Sequence, residues 1–204
     1  SEIVITSSPH LRTTETLQKV MYDVVIALLP AVVVSTIFFG PRVLAVMATA
    51  VISAVLFEAG CLKLAGKSNV FKTAMDGSAI IAGLLLAFNV PPTCPFWIVI
   101  LGSFIAIIVT KQTFGGLGYN LFNPALVGRV FLLISFPVQM TAWTNPTMWR
   151  TDAVSGPTPL GLLKTEGLGA VQSMFSAQGN FIGMIPGCVG EVSAAALLLG
   201  AIYM

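Results

Sequence analysis

The chain has 204 residues, of which 56% are hydrophobic and only 9% are charged, and its formal net charge is +2. Soluble domains carry about a quarter charged residues, so this composition excludes a soluble globular protein and predicts an integral membrane protein. No cluster of Lys or Arg indicates a nucleic-acid surface. With one histidine and three widely separated cysteines, the chain alone cannot build a four-cysteine iron–sulfur cluster or a bis-histidine haem site.

The chain divides into four predicted segments. Residues 1–21 are polar and lack the apolar core of a cleavable signal peptide. The distribution of charge described below predicts that they form a cytoplasmic N-terminal segment. Residues 22–140 hold five apolar stretches and predict a first membrane helix bundle of five spans. These stretches are Val24–Phe39, Val43–Cys61, Ser78–Val90, Phe96–Thr110 and Pro124–Met140. Residues 141–180 are polar and rich in turn formers, and we expect residues 181–204 to begin a second, incomplete bundle.

The distribution of Lys and Arg predicts the orientation in the membrane. With the N-terminus inside, six basic residues fall on cytoplasmic segments and three on outer segments, in agreement with the positive-inside tendency. Five crossings then place residues 141–180 on the outer face. The inner set is Arg12, Lys19, Lys63, Lys67, Lys72 and Lys111, and the outer set is Arg42, Arg150 and Lys164.

Two short motifs indicate an inverted repeat. The motif DGSA at residues 76–79 precedes one Leu-rich run, and EVSA at residues 191–194 precedes another. In the predicted topology the two runs start from opposite faces, as in transporters whose site lies at a repeat interface. Chance similarity between two Leu- and Ala-rich helices explains the pattern equally well, and both interpretations stay open.

Ionisable residues within apolar stretches are costly and therefore indicate either function or pairing. Glu58 is placed to reach the membrane surface or to pair with Lys63, and Asp76 to cap the helix that follows it. Arg129 and Glu191 lie deeper in their stretches, where structural pairing and a functional role are equally supported.

The sequence FGGLGYNLFNPALVGR combines glycines with two amide side chains. Gly115 and Gly116 permit tight backbone and the close approach of a ligand. Asn120 and Asn123 are three residues apart, which places them on one side of a helix if the segment is helical. Pro124 suits the first turn of the helix that follows. The pattern is typical of a site for a planar, amide-rich ligand such as a flavin, or of an ordinary capped helix start.

The polar stretch DAVSGPTPLG presents two hydroxyls, Ser155 and Thr158, on a backbone stiffened by Pro157 and Pro159. Because Thr158 precedes a proline, we predict that it is extended rather than helical, with an accessible hydroxyl. The absence of a nearby histidine argues against a hydrolase nucleophile. The residues alone favour a plain turn over a hydroxyl that another enzyme modifies.

Several long blocks, in order along nearly the whole chain, resemble the NqrB/RnfD family. Its members are subunits of Rnf ion-translocating electron-transport complexes and of sodium-pumping NADH:quinone reductases. The resemblance implies an all-α polytopic membrane protein with two inverted helix bundles of about ten helices, about six of them covered here. The blocks are SSPH, DGSAIIAGLLLAFNVPP, GGLGYNLFNPALVGRVFLLISFP, DAVSGPTPL and GCVGEVSAAALLLGAIY.

The resemblance also implies a covalent flavin on the outer face. In the family, a threonine in a D-x-x-S-G-x-T context carries FMN through a phosphoester bond, which a flavin transferase forms outside the cytoplasm. When the family motif is matched to this sequence, Thr158 is the attachment residue. Asp152, Ser155 and Gly156 then form the surrounding motif that the transferase recognises. Pro157 stands where the family commonly has alanine, which leaves the hydroxyl available.

A second, noncovalent flavin is implied near the inner face. Relatives of NqrB bind riboflavin, and two Asn of the GGxGxN block are its plausible contacts. In this sequence the matching residues are Asn120 and Asn123, and Gly115 and Gly116 belong to the same block.

The implied function is that of a membrane redox subunit that does not catalyse the reaction by itself. It relays electrons within a ferredoxin:NAD oxidoreductase complex coupled to Na+ or H+ translocation in the bacterial cytoplasmic membrane. The implied partners are the outer-face FMN subunit and the cytoplasmic NADH and iron–sulfur subunits. Composition alone leaves two alternatives open, a transporter or channel-like subunit without a redox cofactor and a structural scaffold in which Thr158 is only a turn.

Overall fold

The computed structural model of the chain describes residues 15–66, 70–146, 156–191 and 193–204. Within these ranges the regular secondary structure is helical. The β-type pairing there consists of one isolated antiparallel bridge between Thr144 and Gly187. The predicted all-α polytopic membrane fold is therefore confirmed.

Two long helices open the bundle. Helix α1 (Leu17–Phe39) and helix α2 (Arg42–Leu64) have 23 residues each, and by length and composition both are able to cross a membrane. Gly40 separates them at a φ of 85°, a left-handed conformation that an L side chain rarely adopts. The tight turn makes the two helices antiparallel neighbours.

Shorter helices pack against this pair. Helix α3 (Val70–Ala74) leads to α4 (Ser78–Phe88), α5 (Phe96–Phe104) continues as a π-helical segment (Ile105–Gln112), and α6 (Pro124–Ser135) follows. Helices α4 and α6 have 11 and 12 residues. At 1.5 Å per residue they are about 16–18 Å long, which is shorter than the roughly 30 Å hydrocarbon core of a bilayer.

Proline divides the fifth predicted stretch. Helix α6 ends at Ser135, Phe136 leaves helical geometry with a φ of −134°, and Pro137 opens the one-turn helix α7 (Pro137–Met140). The residue before a proline is disfavoured in the helical region, so the break lies where the sequence requires it.

The remaining part of the chain is built from short helices. They are α8 (Pro159–Glu166), α9 (Leu168–Met174), α10 (Ala177–Ile182), a 3₁₀ turn (Val189–Glu191) and α11 (Ala194–Tyr203). The apolar stretch 181–204 is therefore not one helix, because Gly183 ends α10 at a φ of 114°. Helix α11 starts afresh where the Ser193 hydroxyl accepts the Ala196 N–H at 3.2 Å.

Small residues let the helices touch backbone to backbone. A Cβ added at Gly83 of α4 would lie 2.8 Å from the Ala50 carbonyl oxygen of α2, and one at Gly128 of α6 would lie 3.0 Å from the Gly102 carbonyl oxygen of α5. The Ser103 hydroxyl also lies 3.3 Å from the Ala50 carbonyl oxygen. Close approach through small residues and interhelical hydrogen bonds stabilises helix association within membranes.

The helix ends gather at two opposite poles of the bundle. At the first, which we call the Lys111 end, the start of α1 meets the segment before α4. There the Gln18 side chain and the Tyr22 hydroxyl both donate to the Met75 carbonyl at 3.3 Å. The C-terminal ends of α2 and the π-helical segment reach the same pole.

The second pole, which we call the Thr158 end, holds the α1–α2 turn and the segment between α4 and α5. The Arg42 guanidinium donates to the Thr93 carbonyl at 3.1 Å, and the Val189 N–H donates to the Val90 carbonyl at 3.1 Å. Helix α4 runs towards this pole. Helix α11 runs away from it, since the Tyr203 hydroxyl approaches Asp23 near the start of α1. The inverted repeat itself remains a prediction.

Candidate functional site

A buried ion pair joins α2 to the π-helical segment. The Lys111 ammonium donates to both carboxylate oxygens of Glu58, at 2.6 and 2.8 Å, and both residues are at most 2% exposed. Its third donor goes to the Ser78 hydroxyl at 2.6 Å, and the Gln112 amide donates to Glu58 at 2.8 Å. The ammonium thus has an acceptor for each of its three protons.

This arrangement corrects two expectations. Glu58 pairs with Lys111 rather than Lys63, which is exposed at the end of α2. Five residues along an α-helix correspond to about 140° around the axis, so Lys63 cannot easily reach back to Glu58. Lys111 itself is 1% exposed and belongs to the interior, so it is not a surface charge of a cytoplasmic loop.

The π-helical segment brings Lys111 to this position. Residues Ile105–Gln112 make hydrogen bonds five residues back, as the Thr113 N–H does to the Ile108 carbonyl at 3.1 Å. The Thr110 hydroxyl adds a bond to the Ile105 carbonyl at 3.1 Å. Such segments are rare in proteins as a whole, but those that occur are often found at functional sites. The sequence carries no pattern that distinguishes this widened turn from an ordinary α-helix.

Although the N-cap residue itself is Gly77, Asp76 stabilises the start of α4, as the sequence predicted. Its carboxylate accepts the Ser78 N–H at 2.8 Å and the Ser78 hydroxyl at 2.5 Å, at the start of α4. Ser78 thereby links Asp76 to Lys111, and the polar chain runs without a break from Asp76 through Ser78 and Lys111 to Glu58 and Gln112.

A cavity of about 440 Å³ opens beside this polar chain. We call it the Asn120 cleft. Helices α1, α4 and α6, the π-helical segment and the loop before α6 contribute its walls, and volumes of roughly 300–1,000 Å³ are typical of small-molecule sites. Its polar lining is Ser78, Lys111, Asn120 and Asn123, and its apolar lining includes Met21, Ile81, Leu85, Leu121 and Phe122.

The two predicted Asn meet in this cleft with different roles. Asn123 is the N-cap of α6, where its side-chain oxygen accepts the N–H groups of Ala125 at 3.0 Å and Leu126 at 3.4 Å. Pro124 takes the first helical turn, as predicted. The side-chain oxygen of Asn120 is buried and has no hydrogen-bond partner within the described part of the chain. A buried unpaired acceptor calls for a donor, which a ligand in the cleft would supply.

Gly115 and Gly116 lie at the end of the π-helical segment, with φ angles of 110° and 96°. The Gly116 N–H donates to the Lys111 carbonyl at 3.0 Å and closes the last wide turn. Gly115 borders a separate cavity with Cys61, Leu64 and Gln112 rather than the Asn120 cleft. In this structure the two glycines shape the backbone behind the cleft.

The Asn120 cleft combines an unpaired acceptor with largely apolar walls. The unpaired Asn120 oxygen offers an acceptor, the buried Lys111 ammonium places a charge behind another wall, and the remaining lining is largely apolar. Few convergent polar groups in an apolar pocket are the usual composition of a cofactor site.

Thr158 has the predicted extended backbone, φ −68° and ψ 154°. A series of contacts connects it to the second pole: the preceding segment binds residue 143, Thr144 pairs with Gly187, and the Val189 N–H donates to the Val90 carbonyl at 3.1 Å. Thr158 is the N-cap of α8, and its hydroxyl oxygen accepts the Gly161 N–H at 3.1 Å. Pro159 occupies the first turn of that helix, and Leu162 anchors it as a buried side chain. The Gly156 N–H donates to the Trp143 carbonyl at 3.1 Å, which ties the segment before Thr158 to residues preceding it.

Several predicted residues are not tested by this structure. Asp152 and Ser155 lie outside the described residues, and so does the side chain of Glu191. Arg129 donates to the Asn89 side-chain oxygen at 2.6 Å, which supports a structural pairing for that residue.

Comparison with known proteins places the chain in a defined group. A family model described as the NQR2, RnfD, RnfE family matches residues 4–204. The chain is 42% identical over 205 residues to the D subunit of a proton-translocating ferredoxin:NAD(+) oxidoreductase complex from Clostridium ljungdahlii, which covers 98% of this chain and 61% of that protein. It is 45% identical over 204 residues to the D subunit of a Na(+)-translocating complex of the same type from Acetobacterium woodii, which covers 99% of this chain and 62% of that protein.

A more distant relative agrees with these two. The D subunit of an ion-translocating oxidoreductase complex from Rhodobacter capsulatus is 37% identical over 222 residues, which covers 97% of this chain and 62% of that protein. The chain therefore spans somewhat less than two thirds of the length of these curated relatives. The match along nearly all of its own length shows that the chain belongs to the NQR2, RnfD, RnfE family.

Proposed function

We propose that this chain is a membrane redox subunit of an ion-translocating ferredoxin:NAD oxidoreductase complex, carrying FMN covalently on Thr158. The observation that carries the proposal is the setting of Thr158, a hydroxyl on an extended residue at the N-terminus of α8. Relatives of this chain are subunits of complexes so named.

The start of α8 suits a phosphoester. A helix N-terminus carries partial positive charge and unpaired N–H groups, both of which favour a phosphate. The Gly161 N–H already points at the Thr158 oxygen at 3.1 Å. Pro157 and Pro159 restrict the backbone on both sides, so the attachment point is held in place when the flavin is attached.

The Asn120 cleft is our proposed site for a second, noncovalent flavin, riboflavin. A flavin supplies electron transfer in one- or two-electron steps. The Asn120 oxygen would accept an N–H of the ring, the apolar side chains of Met21, Ile81 and Leu85 would pack on its faces, and the cap made by Asn123 would hold the loop in place.

The two proposed flavins occupy opposite poles of the bundle. This separation supports an electron relay across the membrane, with the Thr158 end outside and the Lys111 end inside the bacterial cytoplasmic membrane. On this proposal the outer-face FMN subunit exchanges electrons with the Thr158 end, and the cytoplasmic NADH and iron–sulfur subunits lie beyond the other pole. The coupled ion is Na+ or H+.

The test of the tether is covalent flavin on the denatured chain. Produced together with its flavin transferase, the wild-type chain should fluoresce on a denaturing gel, and the peptide containing Thr158 should carry the mass of FMN as a phosphoester. We expect Thr158→Val to abolish both signals.

Thr165→Val is the matched control, because Thr165 is an exposed threonine of the same helix. It should retain the full signal. A wild-type chain without fluorescence in the presence of the transferase, or a Thr158→Val chain that keeps it, would refute the tether.

A second candidate function is a transporter or channel-like subunit without a redox cofactor. The buried Glu58–Lys111 pair favours it, since ionisable groups within membrane bundles often mark ion pathways. Ion flux in reconstituted vesicles that contain this subunit but no flavin would support that function over the redox one.

A further inference from the structure

The wall of the Asn120 cleft contains a positive charge, and neither the resemblance to the family nor the sequence pattern assigns a role to it. Lys111 lines the cleft and is 1% exposed, and its ammonium is bound by Glu58 and Ser78. An ammonium is costly to bury, and structural pairing alone does not require that it border a cavity.

We propose that Lys111 favours the reduced, negatively charged state of the planar redox ligand in the Asn120 cleft, with Glu58 tuning the strength of that charge. The inference rests on the proposed function, which assigns a flavin to this cleft. It adds a residue that sets the redox preference of the site.

The charge balance gives the reason. When one electron passes from the neighbouring carrier of the relay into a neutral ring without a proton, the carrier is oxidised by one electron and the ring gains one negative charge. No bond forms or breaks. A cation in the wall of a low-dielectric cleft lowers the free energy of that charged form relative to the neutral one.

Glu58 works in the opposite direction. Its carboxylate contacts the ammonium at 2.6 and 2.8 Å, so it neutralises much of the Lys111 charge as felt across the cleft. The Gln112 amide at 2.8 Å and the Ser78 hydroxyl at 2.6 Å hold the pair in its position. The Asp76 carboxylate, which accepts the Ser78 hydroxyl, acts in the same direction as Glu58 and is retained in every variant below. Removal of Lys111 and removal of the Glu58 charge therefore change the potential of the ring with opposite sign.

The experiment is a redox titration of the noncovalent flavin in the purified complex that contains the full-length protein. Lys111→Met should lower the midpoint potential, and Glu58→Gln should raise it. A tenfold change in the affinity ratio of the reduced and oxidised ligand corresponds to about 59 mV for one electron. We expect shifts of about this size. Lys63→Met, which removes an exposed lysine from the end of α2, should leave the potential unchanged.

A double variant guards against misfolding of the singles. Glu58→Gln with Lys111→Met removes both charges, and its potential should lie below that of Glu58→Gln alone. If the flavin is bound and Lys111→Met and Glu58→Gln shift the potential in the same direction or not at all, the inference is overturned. A wild-type complex without any noncovalent flavin would instead overturn the assignment of the cleft, and the inference with it.

Discussion

The two poles of the bundle differ in how they are built for a ligand. At the Lys111 end, helices α1, α4 and α6 and the π-helical segment line an open cleft of about 440 Å³ with a buried ion pair beside it. At the Thr158 end, the candidate residue caps an eight-residue helix. A ligand that is held without a covalent bond needs a cleft with several walls, whereas a tethered ligand needs one hydroxyl held at a defined point. The contrast teaches that, on the proposed function, the chain would use a different solution at each end.

The largest effect that sharpens this contrast is expected at the buried ion pair. Glu58→Ala leaves the Lys111 ammonium buried without its carboxylate, and breaking a buried pair costs about 3–5 kcal/mol. Thermal unfolding of the detergent-solubilised protein should show this as a clear decrease in Tm.

The exposed pair of Lys19 with Glu15 provides the comparison variant. Its two atoms are 2.7 Å apart, but the side chains are 59% and 44% exposed. Exposed pairs contribute about 0–1 kcal/mol, so Glu15→Ala should shift the Tm little. Equal shifts for Glu15→Ala and Glu58→Ala would contradict a specially built Lys111 end.

A smaller effect separates the two Asn of the cleft. Asn123→Ala removes the cap of α6 and should cost about 1 kcal/mol of unfolding free energy. Asn123→Asp keeps an acceptor and should restore it. Asn120→Ala deletes an unpaired oxygen, so the apoprotein should keep its stability while flavin retention falls about fivefold to tenfold, as expected for one hydrogen bond. Equal losses of stability in Asn120→Ala and Asn123→Ala would remove the distinction.

The smallest effect is one of rate, at the Thr158 end. Burial raises the pKa of the Cys94 thiol to about 11, against the opposing effect of the nearby Arg42 charge. Only the thiolate reacts, so alkylation of Cys94 in the folded protein should be very slow at pH 7. Its rate should rise about tenfold for each unit by which the pH is raised, until the pH reaches the pKa of about 11. Cys94→Ser identifies the labelled peptide. Rapid labelling at pH 7 would show that this pole is more open than the structure has it.

Local chemistry was readable from the sequence. Proline on the C-terminal side of Thr158 predicted its extended backbone, Asp76 was correctly predicted to stabilise the start of α4, and Pro124 was correctly placed in the first turn of α6. Each of these depends on residues within three positions of one another, where steric and hydrogen-bond rules are strong.

The ion pair was missed because it is not local. Glu58 and Lys111 are 53 residues apart, and only the packing of the π-helical segment near α2 brings them together. Charge alone indicated that Glu58 needed a partner, and the nearest lysine in the sequence, Lys63, was the wrong choice. Similarly, the spacing of Asn120 and Asn123 identified both residues but did not reveal that one is a cap and the other is unpaired.

The π-helical segment also gives the chain one place where a change in length does little harm. Segments of this kind hold more residues in each turn than an α-helix does. If one residue within 105–110 is deleted, a return to α-helical turns of about 100° per residue offsets the loss, and Lys111 still faces Glu58. The same deletion within α5, which is already α-helical, would rotate Lys111 by about 100° and separate the pair. A codon lost from the π-helical segment is therefore less severe for the site than a codon lost from the helix before it.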